Sequence, residues 1–145
     1  MKKHQNLFRD LQEDFRKMKK NLLVAQSGGP TAAINATLAG VIKQAIKEEQ
    51  IDQVYGACYG IQGVLEQKFV NLTEKVDTEE KLEKLKRTPA AALGSCRFKL
   101  NDIKEDDSQY QEIVDILHKM NIGYFVYIGG NDSMAVSSTH LRAHE

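Results

Sequence analysis

Two pairs of consecutive glycines, each placed directly after an apolar run, have the residue type and spacing to do chemistry. Gly28 and Gly29 follow the run NLLVAQ and Ser27, and Gly129 and Gly130 follow the run YFVYI. A ligand can approach a glycine turn closely because no Cβ blocks the backbone. Where a helix follows such a turn, free backbone N–H groups and the helix dipole favour an anion. The pattern therefore predicts phosphate binding at both turns.

Side chains close to these glycines suit phosphate and its counter-ion. Asn131, Asp132 and Ser133 follow the second pair, and Asp132 offers the hard oxygen ligands that Mg²⁺ prefers. Arg97, in the stretch GSCRF, adds a fixed positive charge that can bind phosphate oxygens bidentately. A cation beside two phosphate-binding turns favours a polyphosphate as the ligand.

Each of these features alone has an ordinary structural explanation. A glycine pair after a strand is usually only a turn, and a single loop arginine is usually solvated. Asp132 alone is a candidate helix N-cap. The sequence has neither the GK[ST] of a P-loop nor the GxGxxG of a dinucleotide site. The joint placement of these residues, and no single one of them, carries the hypothesis of a phosphate site.

The elements that must position these residues follow from apolar periodicity and turn residues. Helices are predicted over residues 4–20, 31–48, 78–87 and 108–120, and strands over 21–26, 52–60 and 124–128. The first two helices each carry an apolar stripe on one side. A capping box is predicted to open the third helix, with Thr78 as N-cap and a Glu near the third helical position, and a left-handed cap at Asn121-Ile122-Gly123 is predicted to close the fourth. Glycines at positions 60 and 63 are predicted to break the segment after the second strand, and KFVNLT is a candidate short strand. This alternation predicts an α/β fold in three layers, with a mainly parallel sheet and helices on both faces. Ligands of such sheets bind beyond the carboxyl ends of the strands, where both glycine pairs lie.

Composition narrows the class of protein. The chain has 145 residues, of which 41% are hydrophobic, and Lys+Arg and Asp+Glu both total 20. This balance argues against a nucleic-acid partner, and the absence of a polybasic stretch or a long apolar run argues against a membrane. The charged first segment does not resemble a signal peptide, so we expect a cytoplasmic protein. Cys58 and Cys96 form no CxxC motif and are expected to be buried thiols.

Four blocks of the sequence together resemble the N-terminal blocks of phosphofructokinases. They read LLVAQSGGPTAAINATLAGVI, YGIQGVLEQKFVNLT, ALGSCRF and YFVYIGGNDSM, and they fall in the family's order at comparable spacing. They resemble the pyrophosphate-dependent branch most. The resemblance implies an incomplete N-terminal domain of a kinase that transfers phosphate to the 1-hydroxyl of fructose 6-phosphate with Mg²⁺ present, a step of glycolysis. It also implies a homo-oligomer when the protein is full length, with no nucleic-acid or membrane partner.

The same resemblance assigns roles to residues in three loops. It implies that the first glycine turn contacts the donor phosphates, that the arginine loop belongs to the donor site, and that the second glycine turn holds donor phosphate and metal. The residues so implied are Gly28 and Gly29 in the first turn, Arg97 and Phe98 in the loop, and Gly130, Asn131, Asp132 and Ser133 in the second turn. Tyr59 lies in the block that flanks the nucleotide in members that use ATP.

The second glycine turn departs from the pattern of ATP-using members. That pattern is Gly-Gly-Asp-Gly followed by Ser or Thr, whereas this chain reads Gly-Gly-Asn-Asp-Ser. The carboxylate of Asp132 would meet the α-phosphate of a nucleotide, while pyrophosphate has nothing there, and such repulsion is a route to specificity. Asn131 is a poorer Mg²⁺ ligand than an aspartate, so metal contact is expected to pass to Asp132. Pyrophosphate is therefore favoured, with an ATP-dependent enzyme and a non-catalytic phosphate-binding module as the alternatives.

The sequence also predicts a division of the chain. Residues 18–134 are expected to be a partial donor-phosphate-binding domain, residues 1–17 a helical extension or a mistranslated leader, and residues 135–145 an artefactual tail. The family's catalytic motif resembles Pro-Lys-Thr-Ile-Asp-Asn-Asp, and its first Asp is the general base. This run does not occur in the chain, so we expect a fragment that has no catalytic base and does not turn over.

Overall fold

The computed structural model describes residues 2–27, 32–94 and 107–129. The helices are α1 Lys2–Met18, α2 Ala32–Lys47, α3 Gly60–Leu65, α4 Leu72–Lys75, α5 Glu79–Arg87 and α6 Ser108–Lys119. The strands are β1 Lys20–Gln26, β2 Ile51–Ala57, β3 Phe69–Asn71 and β4 Ile122–Ile128.

The four strands form one sheet in the order β3-β2-β1-β4. β1 lies between β2 and β4 and is parallel to both, and β3 pairs antiparallel with β2. Leu23 of β1 is in register with Tyr55 on one side and Phe125 on the other. The prediction of a mainly parallel sheet is confirmed, and the candidate strand in KFVNLT is β3.

Helices cover both faces of this sheet. Side chains alternate along β1, so Leu22 and Val24 pack with the helices of one face and Leu23 and Ala25 with those of the other. The first core includes buried residues of α2, α4 and α5, and the second includes buried residues of α3 and α6. A strand that is buried on both faces has a continuous apolar run, which explains why β1 reads NLLVA without alternation. The prediction of three layers is confirmed.

α2 follows the first glycine turn and has the predicted apolar stripe. Its side chains Ile34, Leu38, Ile42 and Ala45 are buried, and Val41 is half-buried. These positions recur every three or four residues, so they lie on one side of the helix. The stripe packs α2 against β1 and β2 and so fixes where the helix begins above the sheet.

The prediction that glycines break the chain after β2 is wrong, because Gly60 and Gly63 lie within α3. A Cβ at Gly63 would lie 1.6 Å from the carbonyl oxygen of Cys58, so only glycine lets the helix pack this closely on the preceding turn. Cys58 is a free, partly exposed thiol, which corrects the prediction that it is buried. Cys96 lies outside the described residues.

Local signals placed the ends of two helices correctly. Thr78 caps α5, because its hydroxyl oxygen accepts from the backbone N–H of Lys81 at 3.2 Å. The third helical position is Lys81, so the acidic residues of the predicted capping box occupy the first two positions instead. Asn121 has φ 56° after α6, as predicted for a left-handed cap.

α1 carries the amphipathic stripe that its sequence predicts. Leu7, Phe8 and Leu11 are 58%, 65% and 57% exposed, and none of them belongs to either core. The division of the chain at residues 17 and 134 stays a prediction. Within the described ranges, no helix combines the length and apolar character needed to cross a membrane.

Candidate functional site

The residues that lead into the two glycine pairs lie side by side at one edge of the sheet. β1 ends at Gln26 and β4 ends at Ile128, and these residues are register partners on neighbouring parallel strands. The N–H of Ser27 donates to the carbonyl of Ile128 at 2.7 Å, so the pairing continues to the point where the strands end. Gly28 follows Ser27 and Gly129 follows Ile128 in sequence. The chain therefore enters both glycine pairs from the carboxyl edge of the sheet, where open α/β folds bind ligands.

Tyr59 lies at the same edge, just after β2. Ala57, the last residue of β2, is the register partner of Ala25 in β1. Tyr59 has φ 65°, a left-handed conformation that is uncommon for a bulky residue, and its side chain is 56% exposed. Its N–H donates to the carbonyl of Leu93 at 2.9 Å. The end of β2 is thereby joined to the segment that precedes Arg97.

Gly94 packs on the ring of Tyr59. It has φ 75°, and a Cβ there would lie 2.7 Å from Cδ1 of Tyr59. Both the conformation and the close approach require glycine. Arg97 is three residues further along the chain. The described structure thus fixes the place from which the arginine loop starts.

A buried side-chain amide, Gln26, links the end of β1 to α2 and to the same segment. The residue is 0% exposed. Its Nε2 donates to the carbonyl of Ile34 at 3.3 Å and to Oδ1 of Asn35 at 3.2 Å. Its Oε1 accepts from the N–H of Leu93 at 2.9 Å. A glutamine at the end of an apolar strand is the only signal of this role in the sequence, and the sequence analysis missed it.

Asn35, also 0% exposed, completes the network from the first turn of α2. Its Nδ2 donates to the carbonyls of Thr88 and Ala90, the first at 2.6 Å, and its Oδ1 accepts from the N–H of Ala92 at 2.9 Å. No buried side-chain polar atom among the described residues lacks a partner. The sequence signal was a polar residue on the apolar face of α2, beside Ile34 and Leu38, and it was also missed.

Of the residues predicted to bind phosphate or metal, Gly129 is described and exposed, and every residue that the family resemblance implies lies outside the described residues. These are Gly28, Gly29, Arg97, Phe98, Gly130, Asn131, Asp132 and Ser133. The structure does describe residues that precede them in the chain. Ser27 lies beside the end of β4, and Gly94 lies beside Tyr59. Their individual roles stay predictions.

Charged side chains of the described residues pair at the surface. The ammonium of Lys68 donates to Glu66 at 2.9 Å, which lowers the pKa of that carboxyl through the hydrogen bond and the nearby charge. The ammonium of Lys81 donates to Oδ1 of Asp77, four residues earlier, at 2.7 Å, and this hydrogen bond lowers the pKa of that carboxyl. Within the described part of the chain, no cluster of three or more His, Cys, Asp or Glu residues could hold a metal ion.

Comparisons with known proteins agree with this geometry. Residues 21–144 match the family described as Phosphofructokinase. The chain is 43% identical over 115 residues to a pyrophosphate--fructose 6-phosphate 1-phosphotransferase of Rhodospirillum rubrum, covering 79% of this chain. An ATP-dependent 6-phosphofructokinase of Histophilus somni is 31% identical over 128 residues, which cover 88% of this chain and 37% of that protein.

A solved structure extends the similarity to three dimensions. The pyrophosphate-dependent phosphofructokinase of Nitrosospira multiformis aligns with a TM-score of 0.77 and 34% identity, covering 86% of this chain and 30% of that one. The chain spans about 27% of the length of the Rhodospirillum rubrum protein. The family match covers most of the chain and includes the sheet edge where both glycine pairs begin. The chain therefore belongs to the phosphofructokinase family.

Proposed function

We propose that this chain is the donor-phosphate-binding part of a pyrophosphate-dependent 6-phosphofructokinase. Such an enzyme transfers phosphate from pyrophosphate to fructose 6-phosphate and gives fructose 1,6-bisphosphate. The observation that carries the proposal is the pairing of Gln26 with Ile128, from which both glycine turns leave one edge of the sheet. A ligand with two phosphates, placed above that edge, can be reached from both turns.

The proposed site combines backbone and side-chain donors. Gly28, Gly29 and Gly130 offer N–H groups that a donor phosphate can approach closely, since no Cβ intervenes. Arg97 offers a planar guanidinium that binds phosphate oxygens in pairs. Phe98 beside it and Ser133 in the second turn complete the set that the family resemblance implies.

Asp132 supports pyrophosphate over ATP as the donor. A carboxylate at this position repels the α-phosphate of a nucleotide, whereas pyrophosphate ends before it. The relatives point in the same direction, since the pyrophosphate-dependent relative of Rhodospirillum rubrum is 43% identical and the ATP-dependent relative of Histophilus somni is 31% identical.

Mg²⁺ is the cofactor that this chemistry calls for, because a divalent cation neutralises the charge of a transferred phosphoryl group. The described residues include no ligand cluster of their own. We assign the metal contact to Asp132, with Asn131 as a weaker neutral neighbour, and donor oxygens supply further ligands. The general base and the sugar-phosphate site are assigned to a part of the longer protein that this chain does not include, and that protein is proposed to be a cytoplasmic homo-oligomer.

Calorimetric titration of the 145-residue chain with pyrophosphate and Mg²⁺ tests the binding proposal. We expect saturable binding that Arg97→Gln weakens by about tenfold or more, because a charge-assisted bidentate contact is lost. Arg87→Gln is the matched control, since Arg87 is an exposed arginine and the last residue of α5. Absence of saturable binding, or equal loss in both variants, would contradict the proposal.

Asp132→Gly tests the choice of donor. The same titration with ATP and Mg²⁺ should show weak or no binding to the unchanged chain and tighter binding to the variant, because the repelling carboxylate is gone. Because the variant also loses the proposed metal ligand, pyrophosphate affinity should fall, and the readout is the ratio of ATP affinity to pyrophosphate affinity, which should rise. If the ratio of the two affinities is the same in both proteins, the role given to Asp132 is wrong.

A further inference from the structure

Gln26 and Asn35 stand on either side of the first glycine turn in sequence and contact each other in the interior. We infer that these two amides are positioning residues that hold the start of the arginine loop against the residues that flank the first glycine pair. The inference rests on the proposed donor site, because it concerns how two parts of that site are kept together. Neither residue is assigned a contact with the substrate.

The first step is that the two amides hydrogen-bond to each other and so connect the residues on either side of the first glycine pair. Gln26 is the last residue of β1, and Asn35 lies in the first turn of α2. The Nε2 of Gln26 reaches Oδ1 of Asn35 at 3.2 Å and the carbonyl of Ile34 at 3.3 Å. The stretch that holds Gly28 and Gly29 therefore begins and ends at residues tied together by hydrogen bonds.

The second step is that the same side chains bind four backbone groups ahead of Arg97. Asn35 donates to the carbonyls of Thr88 and Ala90 and accepts from the N–H of Ala92. Gln26 accepts from the N–H of Leu93 at 2.9 Å. The bond to Leu93 is buried and those of Asn35 are part-buried. Loss of the acceptor of Gln26 would therefore leave a buried backbone N–H unpaired.

The third step excludes simple space-filling as the role of the pair. Apolar side chains of similar size would fill the same volume, but they would leave the buried N–H of Leu93 without a partner and would give up the part-buried bond to Ala92. Leu93 packs in the core, and Gly94 rests on the ring of Tyr59. The segment is thus held along its backbone as well as by its side chains, up to three residues before Arg97.

Isosteric variants separate the hydrogen bonds from the packing. Gln26→Glu keeps an oxygen that can accept from the N–H of Leu93. It replaces the NH₂ donor, which faces the carbonyl oxygen of Ile34 and Oδ1 of Asn35, with a second oxygen. Asn35→Asp likewise removes the donor to Thr88 and Ala90. Asn21→Asp is the matched control, because Asn21 lies at the opposite end of β1, where it donates to Met120 and accepts from Gln53.

Calorimetric titration of the 145-residue chain and these variants with pyrophosphate and Mg²⁺ measures the effect on the site. We expect Gln26→Glu and Asn35→Asp to bind about tenfold more weakly than the unchanged chain, and Asn21→Asp to bind equally well. Circular dichroism confirms that each variant is folded at the temperature used. If Gln26→Glu does not fold, Gln26→Met, which is neutral and of similar length, replaces it.

A pH series provides a readout that a general loss of stability would not give. In Gln26→Glu a protonated carboxyl regains an O–H donor toward the oxygens of Ile34 or Asn35. The ratio of unchanged to variant affinity should therefore shrink as the pH is lowered, while the ratio for Gln26→Met stays constant. Constant ratios for both variants would count against a positioning role for the donor of Gln26.

The outcomes distinguish this inference from the proposed function. If the unchanged chain binds pyrophosphate and the variants bind it equally well, the positioning role is overturned while the donor site stands. If the unchanged chain does not bind, the proposed donor site fails in this chain. The positioning role is then decided by hydrogen exchange at the amides of Ala92 and Leu93 and by tryptic cleavage after Arg97. Faster exchange and cleavage in Gln26→Glu and Asn35→Asp support it, and unchanged rates overturn it.

Discussion

At Gly63 the main chain of α3 approaches the turn that precedes it more closely than any side chain allows. An added Cβ would be 1.6 Å from the carbonyl oxygen of Cys58, and the obstacle is backbone, so no rotamer change relieves it. We expect Gly63→Ala to lower the free energy of unfolding by about 1–3 kcal/mol, because α3 must shift away from the turn. Urea denaturation followed by circular dichroism measures the loss.

Gly40→Ala is the control for that substitution. Gly40 lies in α2, and a Cβ there would meet nothing within 4 Å. Alanine has the higher helix propensity, so this variant should gain up to about 1 kcal/mol. Similar losses of unfolding free energy in the two variants would show that the close approach at Gly63 is not what destabilises Gly63→Ala.

Residues whose partners are close in sequence were predictable, and residues whose partners are distant were not. The cap at Thr78 and the left-handed Asn121 follow from local chemistry that can be read within a few positions. Gln26 and Asn35 accept from N–H groups 67 and 57 residues away. Nothing in a local pattern specifies such a partner, so the two amides of the site emerge only from the fold.

At the scale of the element, α5 depends on its N-cap, the residue that precedes it. The hydroxyl of Thr78 satisfies the N–H of Lys81, and α5 buries Leu82 in the core that it shares with α2. Thr78→Ala should cost about 1 kcal/mol of stability, since an N–H at the helix start loses its partner. A urea melt of the variant checks the value.

Thr37→Ala provides the comparison within another helix. The Thr37 hydroxyl donates to the carbonyl of Ala33 in the exposed middle of α2, where the carbonyl already belongs to the helix. We expect this variant to be as stable as the unchanged chain or slightly more so, because alanine favours the helix. A loss equal to that of Thr78→Ala would mean that capping is not the cause.

Strongly periodic elements were predictable as elements, whereas α3 was not. The stripe of α2 repeats over about three turns, and β1 has a continuous apolar run, so each pattern indicates a single type of element. α3 has six residues, two of them glycines, and forms because close packing on Cys58 outweighs the low helix propensity of glycine. Short elements of this kind are decided by tertiary contacts.

At the scale of the molecule, the alternation of strands and helices predicted the carboxyl edge as the site. It did not determine that β1 lies between β2 and β4, and this order is what puts Ser27 beside Ile128. β4 is the edge strand of the described sheet beside β1, and its side chains are exposed or half-buried while those of β1 are mostly buried. Tyr124 of this strand is 40% exposed.

Removal of α1 is the prediction that belongs to the whole molecule. Neither core includes a side chain of α1 that the structure describes, and Leu7, Phe8 and Leu11 are more than half exposed. A chain that starts at Met18 should therefore keep its free energy of unfolding within about 0.5 kcal/mol of the full sequence. Leu38→Ala, which empties a fully buried position of α2, should cost about 2–5 kcal/mol in the same urea assay.

The same shortened chain bears on how the protein associates. An uncovered stripe of three large apolar side chains favours contact between molecules, so sedimentation velocity should show less self-association after α1 is removed. Leu11→Lys in the full sequence tests the stripe without shortening the chain, because a charge at that position opposes apolar contact. If removal of α1 costs more than about 1 kcal/mol of stability, the helix packs on the sheet domain, and residues 1–17 are then a structural part of it.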